Sequence, residues 1–188
     1  MRIISGKYKN KEILGSTKGL NPILKPTTAK TRESVFNIIF DLLEKNNKTI
    51  QNCSFADMCC GTGAVGLEAL SSGCSEVYFI DKQRESIQLT KHNIFKIHDK
   101  NPNQKISIIN KDIVQIKKLP LFDIIYLDPP YEVRTIVQMI NSMRFFAAPN
   151  SLLIVELKKR SEIEEIEGFK LLKIKYYKNC KMLFFTKL

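Results

Sequence analysis

The chain has 188 residues, enough for one medium domain with its own apolar core, and its 44% hydrophobic and 26% charged residues are the balance of a soluble globular protein. Nowhere do 18 apolar residues run together, and the opening MRIISGKYKNK has too short an apolar stretch for a secretory signal; both features argue against a membrane protein and for the cytosol. The net charge of +11 and a pI near 9.4 suggest a polyanionic partner, with nucleic acid favoured over membrane because no basic amphipathic helix is evident.

Residues 1–48 hold ten lysines and arginines against four acids, so a quarter of the chain carries about half of the net charge. Ile3 and Ile4, then Gly6, then Ile13 and Leu14 around a lysine-rich middle predict a short hairpin. Gly15 to Pro26 is rich in Gly, Pro, Ser and Asn and reads as a loop. Thr27 and Thr28 can cap a helix whose apolar positions Val35, Ile38, Ile39, Leu42 and Leu43 fall at helical spacing, broadened by Phe36 and Phe40. Such a helix must dock on a main domain and would hold the basic hairpin against it.

From Cys53 onward, short apolar runs alternate with helical stretches, the signature of βα units and a parallel sheet. Strands are expected at 54–58, 77–80, 106–109, 122–127 and 152–157, and helices at 64–72, 83–95 and 132–143. Two further extended segments, 169–177 and 182–186, have no helix between them and predict an antiparallel hairpin at one sheet edge. The five cysteines include no C-x-x-C pair, and with only His92 and His98 available there is no zinc spacing, so the thiols are expected to stay reduced and no metal is expected.

Two motifs carry the chemistry. Asp57 stands near the carboxyl end of the first strand of the repeat, just before Cys59-Cys60-Gly61-Thr62-Gly63-Ala64-Val65-Gly66, which contains G-x-G-x-x-G; the glycines permit a tight turn and close approach of a ligand to the backbone. Asp81 ends the next strand, twenty residues after Gly61, where a carboxylate can accept both hydroxyls of an adenosine ribose. These features fit a nicotinamide dinucleotide as well as S-adenosylmethionine. Asp57 tilts the choice, because an acid there would repel a pyrophosphate and suits the ammonium of a methionine moiety. Asp112, after the third strand, stands where it can take part at the adenine edge. Cys59 and Cys60 read as small packing residues rather than nucleophiles.

The second motif is Phe122 to Tyr131, FDIIYLDPPY. Its apolar run without alternation is that of a central strand covered on both faces, and Pro129 and Pro130 stop it because they lack N–H donors. Asp128 and Tyr131 are left at the strand's carboxyl end, where open α/β sheets bind ligands.

Asp128-Pro129-Pro130-Tyr131, downstream of Asp57-x-x-x-Gly61-x-Gly63 and Asp81, resembles the D/N-P-P-Y/F signature of S-adenosylmethionine-dependent enzymes that methylate exocyclic amines of bases. Met1 to Tyr8, Lys25-Pro26-Thr27-Thr28 and Arg32 to Asn37 extend the resemblance, over nearly the whole chain, to the bacterial small-subunit (16S) ribosomal RNA guanine-N2 methyltransferase family. That family usually has Arg where Lys25 stands and Phe-Ala-Gly-Ser-Gly where Cys59 to Gly63 stand.

The resemblance implies a Rossmann-like class I methyltransferase fold: α/β, a mostly parallel seven-stranded sheet with an antiparallel C-terminal hairpin strand. It further implies a methyltransferase domain at 49–188 and a small basic hairpin-helix extension at 1–48. It places catalysis on Asp128, Pro129, Pro130 and Tyr131, and S-adenosylmethionine on Asp57, Cys60, Gly61, Thr62, Gly63, Asp81, Lys82, Asp112 and Ile113. RNA contacts are expected from Lys7, Lys9, Lys11, Lys25, Thr27 and Arg32. The expected partner of this monomer is 16S rRNA, free or within a partly assembled small subunit. The alternatives are an amino-methyltransferase for adenine-N6 or cytosine-N4 of DNA, a non-catalytic RNA-binding assembly factor, and a nicotinamide-dependent oxidoreductase.

Overall fold

A computed structural model describes residues 1–15, 27–99, 101–129, 133–163 and 165–188, with backbone only for 133–135. Seven strands, β1 (Ser54–Met58), β2 (Glu76–Asp81), β3 (Lys105–Asn110), β4 (Phe122–Leu127), β5 (Ala147–Lys158), β6 (Phe169–Tyr176) and β7 (Cys180–Lys187), form one sheet in the order β3-β2-β1-β4-β5-β7-β6. The pairs from β3 to β5 are parallel, while β7 runs antiparallel to both β5 and β6. Among the described residues four α-helices accompany it: α1 (Ala29–Lys45), α2 (Ala64–Ser71), α3 (Arg84–Ile97) and α4 (Val133–Met143). The mixed seven-stranded α/β sheet expected from the repeat is therefore present.

Strand pleating sorts the apolar runs into two cores, because successive side chains point to opposite faces. Phe55, Phe79, Tyr126 and Ile154 face α1, α2 and α3, whereas Met58, Leu127, Leu153 and Val155 face α4 through Ile136, Met139, Ile140 and Met143. Both faces are covered, which is why the central strands read as unbroken apolar runs. Strand order reverses between β1 and its two neighbours β2 and β4, so a crevice is set at the carboxyl ends of these strands.

The helix expected after Thr27 and Thr28 is α1. The Thr28 side chain accepts from the Thr31 N–H, and Val35, Phe36, Ile38, Ile39 and Leu43 are buried. Phe36 stacks on Phe55 of β1 with ring centroids 6.2 Å apart, fixing α1 to the sheet.

The N-terminal hairpin is short. One antiparallel bridge, Arg2 to Glu12, joins its arms, flanked by Ile3 N–H to Lys11 O at 3.0 Å and Ile13 N–H to Met1 O at 2.8 Å, and residues between them turn. Other backbone donors dock it on α2. Ile4 N–H donates to the Glu68 carboxylate, Lys7 N–H to Ser71 O at 2.7 Å and Tyr8 N–H to Ser71 Oγ at 2.9 Å. These N–H groups, which do not bond across the hairpin, tie it to α2. Gly6, at φ +75°, lies so close that a Cβ would fall 1.9 Å from Ser71 O, so only glycine fits.

Candidate active site

Asp57, Asp81 and Asp128 rise from the carboxyl ends of β1, β2 and β4 on the same sheet face. Register Met58↔Ile80 and Met58↔Leu127 sets Asp81 and Asp128 level, with Asp57 one pleat deeper. Each acid owes its place to the end of an apolar run, where the strand stops and the chain turns.

The glycine loop is built on left-handed backbone: Cys59, Gly61 and Gly63 have φ of 62°, 54° and 75°. Asp81 Oδ2 accepts from Gly61 N–H at 2.9 Å and Oδ1 from Gln83 N–H at 2.8 Å, so this acid shapes the loop as well as facing the crevice. Asp57 Oδ2 accepts from Gly66 N–H at 2.9 Å, pinning the first turn of α2. Gly66 packs against β2, where an added Cβ would fall 2.4 Å from the Phe79 ring. Thr62 is buried and its carbonyl accepts from Asn93 Nδ2 at 2.9 Å, while Cys60 Sγ lies 3.6 Å from Thr90 Oγ1.

Burial, reinforced by the neighbouring acid Asp81, pushes the Asp57 carboxyl well above the usual carboxylate range. Burial likewise raises Asp81, against the hydrogen bonds from Gln83 and Gly61. The Cys59 and Cys60 thiols are driven up by burial and by the same acids, so both stay protonated and neither is an activated nucleophile. Lys82 is exposed beside Asp81. Asp112 Oδ1 accepts from Val114 N–H at 3.1 Å and caps a short turn that buries Ile113 against the α4 side of the sheet.

At the corner, Asp128 N–H donates to Met58 O at 3.4 Å and Pro129 is buried. Burial, with Glu156 and Asp57 adding like charge, holds the Asp128 carboxyl well above its ordinary value. A carboxylate so raised is a better proton acceptor than an aqueous one. Pro130 and Tyr131 lie outside the described residues, as does Lys25.

The basic residues divide. Lys7 pairs with Asp99 at 2.6 Å, Lys11 Nζ donates to Ile97 O at 2.9 Å, and Lys9 is exposed. These three lie at the C-terminal ends of α2 and α3, whereas the glycine loop and Asp81 lie at their N-terminal ends. At about 1.5 Å per residue, α3 alone separates Lys11 from the crevice by roughly 20 Å. Thr27 stands apart from these lysines, at the entry to α1, where its carbonyl accepts from Arg32 and its side chain hydrogen-bonds the Tyr126 phenol.

Arg32 corrects the sequence reading. Its side chain is 0% exposed and cannot meet RNA: Nε donates to Glu68 at 3.0 Å, and the two terminal nitrogens donate to Thr27 O and Arg2 O, both at 2.7 Å. It fastens the N-terminal segment, α1 and α2 to one another. Sequence reasoning also passed over Glu156 of β5, whose Oε2 accepts from Tyr126 Oη at 2.7 Å beside Asp128. A glutamate inside the apolar run SLLIVEL was the available signal, since buried glutamates need partners.

Comparison with known proteins gives this geometry its setting. A family model described as conserved hypothetical protein 95 matches residues 1–186. A Buchnera aphidicola protein named ribosomal RNA small subunit methyltransferase D is 34% identical over 74% of this chain and 66% of its own length. The Haemophilus influenzae protein of the same name is 26% identical over 93% and 88%. Among solved structures, one from Escherichia coli superposes with a TM-score of 0.82 at 21% identity, covering 100% of this chain and 97% of the other. A magnesium protoporphyrin IX methyltransferase from Synechocystis with bound S-adenosylmethionine superposes at 0.65 with 15% identity, over 84% and 79%. The expected Rossmann-like methyltransferase fold is thus present, and the chain belongs to the conserved hypothetical protein 95 family, with relatives that bear out the resemblance to small-subunit ribosomal RNA methyltransferases.

Proposed function

We propose that this protein transfers a methyl group from S-adenosylmethionine to the exocyclic N2 amine of a guanine in 16S ribosomal RNA. The observation that carries the reading is the Asp128 carboxyl: it stands at the end of β4, level with Asp81 across the glycine loop, and is made basic by burial and by two neighbouring acids.

Asp57 and Asp81, with the backbone of Cys60 to Gly63 and with Lys82, Asp112 and Ile113 at the rim, would hold the methyl donor. Two acids flanking the loop suit an ammonium and a pair of ribose hydroxyls and would repel a pyrophosphate. When bound, the donor would supply an electrophilic methyl on a positively charged sulfur, which would keep the electron pair of the broken S–C bond and leave as a neutral thioether.

An exocyclic amine is a poor nucleophile because its lone pair is delocalised into the ring. Asp128 and the Pro129 carbonyl accept its N–H bonds, turning the lone pair toward the methyl and stabilising positive charge as it develops on nitrogen. As the new N–C bond forms, the surplus amine proton passes to Asp128, whose raised affinity for protons suits the task. Pro130 stiffens the corner, and Tyr131 stacks on the extruded base, a contact worth about 1–3 kcal/mol. Relatives named for the small ribosomal subunit support ribosomal RNA as the substrate, free or within a partly assembled subunit. The exposed basic segment is suited to phosphates.

The test is Asp128→Ala. Methyl transfer to ribosomal RNA should fall by at least about 100-fold, while calorimetry shows donor binding retained. Turnover within a few-fold of wild type would sink the assignment.

A further inference from the structure

Glu156 enters the mechanism above only through its charge on Asp128, yet its position is closely specified. Register Leu127↔Val155 carries Asp128 and Glu156 out level on adjacent strands, and Tyr126 and Ile154 show that both side chains project from the same face. Glu156 is 8% exposed in a strand otherwise lined with apolar residues, a costly location for a carboxylate. Tyr126 Oη, itself fully buried, donates to Glu156 Oε2 at 2.7 Å, and Thr27 hydrogen-bonds the same phenol. One carboxylate oxygen is therefore oriented by Tyr126. Glu156 is close enough to Asp128 for its charge to act on that carboxyl.

Two carboxyls side by side repel one another when both are ionised, and a pair of donors placed between them relieves that repulsion. The Watson–Crick edge of guanine presents such a pair, with the N1–H and N2–H donors adjacent. Adenine N1 and cytosine N3 carry lone pairs at the corresponding place and would face a carboxylate unfavourably. An unmatched polar group in a buried site discriminates by several orders of magnitude, far more than shape does.

We propose that Glu156 is a specificity-determining residue, accepting the N1–H of the target guanine while Asp128 accepts from its N2 amine. This rests on the guanine-N2 reading and deepens it. Tyr126 is its positioning residue, and Thr27 serves the base pocket through that phenol rather than by touching a phosphate.

The test uses the full-length protein and 16S RNA assembled by ligation, with either guanine or 2-aminopurine at the nucleotide that wild type modifies. 2-Aminopurine keeps the N2 amine but has a bare N1. Wild type should methylate the guanine substrate about 100-fold faster or more. Glu156→Gln, whose amide can donate to a bare N1, should narrow that ratio at least about tenfold, with donor binding by calorimetry unchanged. Tyr126→Phe, which leaves the carboxylate but removes its orienting donor, should narrow it a few-fold. A ratio unmoved by Glu156→Gln in a donor-binding protein overturns the proposal and leaves the guanine-N2 reading standing. If Glu156→Gln fails to bind donor, the Tyr126→Phe ratio decides, and an unchanged value overturns it. Wild type that labels no guanine N2 overturns both.

Discussion

Asp128 and Arg32 show two opposite uses of a buried charge. The Asp128 carboxyl is raised by burial, Glu156 and Asp57, so the folded protein binds its proton more tightly than the unfolded chain does. Its ionisation therefore costs stability as pH rises above the unfolded value, and the cost grows until the folded pKa is passed. Asp128→Asn should then raise the melting temperature at neutral pH, by about 2–4 °C for each 1 kcal/mol relieved. The wild-type rate should also climb with pH along a limb set well above an ordinary carboxylate, a limb absent in the variant. A melting temperature that falls in Asp128→Asn would contradict this account. Arg32 behaves oppositely. Its removal leaves Glu68 buried and without its cation, so Arg32→Ala should destabilise by about 3–5 kcal/mol, read from urea unfolding, with donor contacts untouched. The sequence led to Asp57, Asp81 and Asp128 because each terminates an apolar run. Arg32 was misplaced because its partner is 36 residues away, and Glu156 was hidden because it sits within a run rather than at its end.

Elements follow the sequence where local pattern and tertiary demand agree. The five parallel strands were legible because burial on both faces leaves an apolar run that no helix face would need. β5 begins earlier than the run SLLIVEL suggests, since Ala147 already pairs with Phe122. The N-terminal hairpin is present as a short one, but no local reading contains its docking: the N–H groups of Ile4, Lys7 and Tyr8 are drawn to the C-terminal end of α2. That end of the molecule also titrates distinctively. Asp99 is held at about 2 by hydrogen bonds from Lys7 and Tyr8, while Tyr8 is raised to about 12, burial leading. A depressed carboxylate stabilises above its unfolded pKa and loses that contribution as pH falls from the ordinary aspartate range toward 2. Proteolysis within residues 1–15 should accelerate across that window in wild type, and Asp99→Asn should flatten the dependence. At the other end of α2, Gly66→Ala would drive a methyl into Phe79 and should cost about 1–3 kcal/mol by thermal melting.

At the scale of the whole molecule, acids line the sheet's carboxyl edge while Lys7, Lys9 and Lys11 sit about 20 Å away at the far ends of α2 and α3. RNA reaching both must extend beyond the target nucleotide, which gives affinity to the distant phosphates and selectivity to the pocket. Neutralising the three lysines together should reduce the salt slope of RNA binding by about 1–3, with Lys9 contributing most because Lys7 and Lys11 already have partners. An unchanged slope in filter-binding assays would remove these residues from the interface. The most direct measurement of the central claim is tritiated methyl transfer from S-adenosylmethionine to 16S RNA, free and in particles, taken from cells lacking the enzyme, followed by mapping of the labelled base. The label should appear in N2-methylguanine with wild type and vanish with Asp128→Ala. Label in adenine or cytosine, no label at all, or full labelling by Asp128→Ala would contradict it.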